Sequence, residues 1–166
     1  MRYKILGLIA ALALVAACET ASEGGGAQTG GGATSATTSA GAIRPGSQED
    51  LVVNVGDRVF FDFDKFNLKP DARKTLEKQA AWLKANPSVR VTVEGHCDER
   101  GTREYNLALG ERRANSAKDY LVSLGVNPGR LKTISYGKER PVAMGSNEAA
   151  WTQNRRSVTV VSGAGS

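Results

Sequence analysis

Val89-Arg90-Val91-Thr92-Val93-Glu94 runs straight into Gly95-His96-Cys97-Asp98-Glu99-Arg100-Gly101, and this junction decides the fold. Val89, Val91 and Val93 alternate with Arg90, Thr92 and Glu94, the period of a half-buried strand. A polar turn bounded by Gly95 and Gly101 follows, with both glycines read as turn residues. A helix is then predicted from about Arg103 to Gly125, which supplies its C-cap. Leu107, Ala114, Ala117, Leu121 and Leu124 form its core stripe. Asn106, Leu109 and Arg113 lie about 100° around the helix, so one face packs and its neighbour is left for a ligand. If the helix folds back over the strand end, Asp98 and Arg113 meet across a pocket. An opposite-charge pair of that kind suits a small zwitterion. The same two residues also compose a salt bridge closing the turn onto the helix, and both readings stand on the residues alone.

Working outward, Asp57 to Phe61 reads as a strand, and Phe60, Phe61, Phe63 and Phe66 around it read as core. Pro70 and Asp71 open a helix, because proline suits the first turn and an acid complements the helix dipole. Ala72, Leu76, Ala80 and Leu83 give that helix an apolar stripe, which ends near Asn86-Pro87. Leu131 to Ser135 suggests a third strand, Glu148 to Asn154 a short helix, and Ser157 to Val161 a last strand. The order β-α-β-α-β-(α)-β implies an α+β sandwich with helices packed on one face of a mixed β-sheet. Trp82 and Trp151 lie off the clearest stripes, either as core edges or as parts of a partner surface.

The N-terminus says where such a domain works. Arg2 and Lys4 precede an apolar run from Ile5 to Ala17, too short to span a bilayer and suited to a secretory signal. The run ends in Val15-Ala16-Ala17-Cys18, small residues before a cysteine whose thiol can receive diacylglycerol. Residues 1–17 are therefore read as a lipoprotein signal peptide, and Cys18 as the lipidated residue, carrying diacylglycerol and an N-acyl chain such as palmitate. Glu19, rather than aspartate, follows the cysteine. In lipoproteins of the enterobacterial kind this favours the outer membrane, with the protein on its periplasmic face.

Residues 18–49 hold that cysteine and a stretch of Gly, Ala, Ser and Thr, including Gly24-Gly25-Gly26 and Gly30-Gly31-Gly32. So few large apolar groups cannot offset the entropy of ordering, and the segment reads as a flexible linker. Residues 50–163 then make one domain with one core. The chain carries 22 basic and 17 acidic residues, net +5, and losing Arg2 and Lys4 with the signal leaves +3. That excess is too small for a nucleic-acid protein, and export removes that partner as well. With Cys18 acylated, Cys97 has no partner and is expected as a buried free thiol.

Catalysis finds little support. Cys97 stands beside the only histidine, His96, but neighbours in a strand point to opposite faces and cannot form a nucleophile–base pair. One His and one Cys also fall short of the several such ligands a zinc site uses. The expectation is a protein that is not an enzyme and holds no metal.

Five separated motifs resemble the OmpA-like peptidoglycan-binding domain, in its lipoprotein branch. They are Phe61-Asp62-Phe63-Asp64-Lys65-Phe66, the run Glu94 to Asn106, Leu109-Gly110-Glu111-Arg112-Arg113-Ala114, Ser135-Tyr136-Gly137-Lys138-Glu139, and Asn154-Arg155-Arg156. The likeness covers the whole folded region in order. It implies binding of the diaminopimelate residue of peptidoglycan stem peptides without cleavage, Asp98 meeting the ligand's ammonium and Arg113 its carboxylate. Asp64, Asn106 and Leu109 match further ligand contacts. Cys97 stands where relatives have threonine or alanine, so that its backbone rather than its side chain would serve. Arg113→Ala is expected to abolish wall binding and leave melting largely intact. The resemblance also implies TolB and other Tol proteins as partners, in a machinery that supports envelope integrity and constriction during division.

Overall fold

The computed structural model describes residues 43–164; the predicted signal peptide, Cys18 and the linker up to residue 42 lie outside them. The secondary elements are a short helix α1 (Gln48–Asp50), strand β1 (Arg58–Phe60), helix α2 (Pro70–Ala85) and strand β2 (Val89–His96). Helix α3 (Arg103–Ser123), strand β3 (Leu131–Gly137), helix α4 (Glu148–Asn154) and strand β4 (Arg156–Ala164) complete the order. The sheet runs β1-β4-β2-β3. β4 is antiparallel to both β1 and β2, whereas β3 is parallel to β2 and is reached through α3. This is the α+β arrangement with a mixed sheet that the element order implied.

Local chemistry explains where the helices start. Thr102 caps α3 by accepting from the Tyr105 amide, and Asn147 caps α4 by accepting from the Ala150 amide. Pro70 occupies the first turn of α2. The core then forms where Leu76 and Leu83 of α2 and Ala114 and Leu121 of α3 meet Val91 and Val93 of β2. Each fully buried Val or Leu contributes about 1.5–3 kcal/mol of hydrophobic stabilisation. No helix of the described residues is long and apolar enough to cross a membrane.

Three expectations change. Folded structure begins ahead of residue 50: Ser47 caps α1, Gln48 Oε1 accepts from the Val161 amide at 2.7 Å, and Leu51 is fully buried. Asp50 Oδ2 accepts from Trp82 Nε1 at 2.8 Å, which places Trp82 in the core with its one polar atom satisfied. Second, only Phe61 of the four phenylalanines is core. β1 ends at Phe60, and Phe63 and Phe66 sit on the exposed segment beyond it, with Arg100 stacked over Phe63. Third, Gly95 is not a turn glycine. It lies inside β2 where α3 crosses, and a Cβ there would fall 1.8 Å from the Gly110 carbonyl oxygen. Gly101, with φ +92°, does shape the turn.

Candidate functional site

At the C-terminal end of β2, a pocket of about 200 Å³ opens between the strand end, the first turns of α3 and the segment after β1. Asp64, Cys97, Asp98, Asn106, Leu109 and Arg113, the six residues singled out from sequence, all line it. Phe63, Arg100 and Tyr105 line it too and were not singled out. Asn106, Leu109 and Arg113 are as buried as the core stripe, so the helix face expected to be free is a pocket wall. The segment bearing Asp62 and Lys65 closes over it.

Arg113 is 0 % exposed. Its Nε donates to the Lys65 carbonyl at 2.8 Å, Nη1 to that of His96 at 2.9 Å, and Nη2 to that of Asp62 at 3.1 Å. A guanidinium has five N–H donors, so the carbonyls take three. No carboxylate lies within ion-pair distance of Arg113 among the described residues, and burial pushes its pKa down without making it neutral. The salt bridge with Asp98 that the sequence allowed is therefore not formed. Burying a cation on carbonyl dipoles alone is costly, and an anion in the pocket would offset that cost.

Asp98 has the opposite problem, too many donors. Oδ1 accepts from the Arg100 amide and Nε, both at 3.1 Å; Oδ2 accepts from Arg100 Nη2 at 2.6 Å and Arg155 Nη1 at 3.3 Å. Four donors fill the roughly four lone-pair positions of a carboxylate. Burial alone would raise this carboxyl's pKa, but the donors from Arg100 and Arg155 outweigh it and hold it below its ordinary value. Arg155 is a buried strut, donating also to Phe61 O and to Glu148 Oε1 at 2.6 Å. Arg100 is held differently. Its guanidinium lies between the Phe63 and Trp151 rings, 4.0 and 3.9 Å from their centroids, and its side chain is 31 % exposed. Trp151, whose Nε1 donates to Glu99 Oε1, is one jaw of this clamp.

The remaining contacts are narrower. Asn106 Nδ2 donates to the Arg100 and Thr102 carbonyls, fixing the turn. Asp64 is exposed, accepts from the Tyr105 hydroxyl, and has φ +57°, a left-handed conformation that aspartate tolerates better than most residues. Of the Cys97 backbone, expected to serve a ligand, the amide is already bonded to Gly137 O at 2.8 Å. Its thiol is 3.3 Å from the Asn106 carbonyl, and burial pushes its pKa up to about 11, so it stays a protonated donor. His96 faces elsewhere: Nε2 sits 3.3 Å from Glu94 Oε2, and its ring tilts against Tyr136. Burial and the nearby Arg156, Arg140 and Arg58 push its pKa down to about 3, so this contact is a neutral hydrogen bond rather than an ion pair.

Arg100 was legible in part, since it stands inside the quoted turn. Arg155 stands in the quoted motif Asn154-Arg155-Arg156, but its pairing with Asp98 was not legible: the two are 57 positions apart, and only the fold joins them.

The OmpA family profile matches residues 60–155. A peptidoglycan-associated lipoprotein of Rhizobium meliloti is 61% identical over 127 residues, covering 76% of this chain and 72% of that protein. One from Pseudomonas aeruginosa is 44% identical over 157 residues, covering 92% and 93%. Among solved structures, the peptidoglycan-associated lipoprotein from Burkholderia pseudomallei superposes with a TM-score of 0.61 at 43% identity, covering 63% of this chain and 88% of that one.

Proposed function

Because the chain belongs to the OmpA family, and within it to the peptidoglycan-associated lipoproteins, we propose that its pocket grips peptidoglycan without cleaving it. The ligand is the diaminopimelate residue of a stem peptide, whose free end carries one ammonium and one carboxylate. Arg113 carries this reading: a fully buried guanidinium in a pocket wall, with no carboxylate partner among the described residues, is matched by a ligand carboxylate. The ligand ammonium has two acceptors. Asp64 is exposed at the rim, and Asp98 becomes available once the half-exposed Arg100 side chain yields its place. Arg155 stays behind as the fixed half of Asp98's support.

Around this grip, acyl chains on Cys18 hold the protein to the periplasmic face of the outer membrane, and the linker spans to the wall. TolB and other Tol proteins are its partners in envelope integrity and constriction. A second class, a pure protein-interaction module, would use the same surface for TolB alone. The separating experiment sediments the mature chain, residues 18–166 carrying Cys18→Ala, with isolated cell wall and no other protein. Co-sedimentation is expected, with competition by a stem peptide containing diaminopimelate but not by the same peptide with lysine in its place, whose side chain ends in an ammonium without a carboxylate. No soluble wall fragments should be released. Failure to co-sediment would sink wall binding and leave the interaction module.

A further inference from the structure

A second cavity, of about 280 Å³, opens at the other end of β2. Its charged lining is Arg90, Arg130 and Lys132, with no aspartate or glutamate. Arg130 is held rigidly: its guanidinium donates to the carbonyls of Val89 at 2.8 Å, Leu83 at 2.9 Å and Asn86 at 2.7 Å. Arg90 and Lys132 are exposed, on the neighbouring strands β2 and β3. None of the three takes part in an ion pair among the described residues. Three uncompensated cations around one cavity call for an anion.

The position of the cavity says which anion. The chain enters the domain at this same pole. Gly46 packs against the start of β2, so closely that a Cβ there would lie 3.0 Å from Asn86 Oδ1 and 3.2 Å from the Val89 side chain. The wall pocket lies at the far end of the strand, roughly 20 Å away at about 3.3 Å per residue. We infer that this cationic pole docks on the phosphate headgroups of an anionic phospholipid surface, turning the wall pocket away from the membrane. The inference rests on the membrane-tether reading above, because Cys18 fixes which surface the pole meets. On the sequence reading of a flexible linker, about 25 residues from Cys18 would reach roughly 28 Å, which would keep the pole at high local concentration near the bilayer, where even weak docking suffices. Lys and Arg stems adapt to headgroups at varying heights.

The test uses the mature chain, residues 18–166 with Cys18→Ala, so that neither acyl chains nor the apolar signal run adds binding, and vesicles of pure phosphatidylcholine or with added phosphatidylglycerol. Binding to the anionic vesicles only is expected, weakening as salt rises. Arg90→Gln and Lys132→Gln should each lower it about fivefold. Arg130 is left intact because it supports the fold. Equal binding to both vesicle types, or no effect of the two substitutions, overturns the inference. So does capture of inorganic phosphate without vesicle binding, which would make the cavity a free-anion site. Wall co-sedimentation of the same two variants should match the parent. Its loss in every chain, parent included, would instead strike the wall-binding reading.

Discussion

The two ends of β2 both concentrate positive charge, and they hold it in opposite ways. At the end of the strand, Arg113 and Arg155 are buried and bonded to the backbone of two separate segments, residues 61–65 and His96. At its start, Arg90 and Lys132 extend into solvent on flexible stems, and only Arg130 is tied down. A buried charge selects a small ligand of fixed geometry, since any misfit leaves it uncompensated. An exposed charge selects only the sign and density of what it faces, and salt screens it. The first end is built to recognise a molecule, the second to recognise a surface.

The sharpest way to break this comparison is Arg113→Ala. The sequence led to the expectation that this substitution would spare the fold, on the view that a ligand residue stands free. The structure reverses that expectation, because three carbonyls depend on the guanidinium. Hydrogen bonds from a charged donor contribute about 1.5–3 kcal/mol each, and relief of the buried charge offsets part of the loss. Urea denaturation should show a net loss of about 2–4 kcal/mol together with loss of wall binding. Arg90→Gln and Lys132→Gln should stay within about 0.5 kcal/mol of the parent. Should Arg113→Ala unfold at the same urea concentration as the parent, the two ends do not differ in the way described.

That reversal marks how far the sequence could be read. Val89 to Val93 announced their strand because alternation is a local property, and Glu148 to Asn154 was bounded correctly because caps and helix period are local too. Of the six pocket residues, Asp98, Asn106, Leu109 and Arg113 were grouped by their spacing along one strand end and one helix, whereas Asp64 and Cys97 entered with the family resemblance. What escaped was non-local. Gly95 looks like a turn residue until α3 brings the Gly110 carbonyl against it. Asp98 looks free until Arg155 arrives from β4's edge. Phe63 and Phe66 carry hydrophobic side chains, but β1 stops before it can turn them inward.

A second prediction separates the two faces of the strand at its pocket end. His96 belongs to the quoted turn yet faces Glu94 and Tyr136, not the cavity lined by Cys97. Its pKa falls from 6.5 to about 3, so the folded state keeps it neutral while the unfolded chain takes up a proton below pH 6.5. Its contribution is therefore fully present above about pH 6.5 and is lost as pH falls toward 3. The slope is at most about 1.4 kcal/mol per pH unit. Urea midpoints at pH 7, 6 and 5 should decline, and His96→Asn should flatten that decline. Wall binding by the parent should change little over the same range, because the group that titrates lies outside the pocket. Parallel loss of binding and stability between pH 7 and 5 would place His96 in the site after all.

The smallest expected effect probes the rim of the pocket, where the two modes of holding charge meet. Asp64 is exposed like Arg90, yet its backbone is fixed at φ +57° and its carboxylate accepts from Tyr105. Asparagine tolerates this left-handed conformation at least as well, and its Oδ1 can still accept from the hydroxyl. Asp64→Asn therefore removes one charge and almost nothing else, so the melting temperature should hold. An exposed carboxylate facing a ligand ammonium is worth little, and wall affinity should fall only about two- to fivefold, less at high salt. The two acceptors then become distinguishable. If Asp64 takes the ammonium alone, Arg100→Gln changes affinity no further in the Asp64→Asn background. If Asp98 takes it once Arg100 yields, the same second substitution restores affinity by vacating the carboxylate. Equal affinities for the parent and Asp64→Asn would remove Asp64 from the grip and leave the ammonium to Asp98.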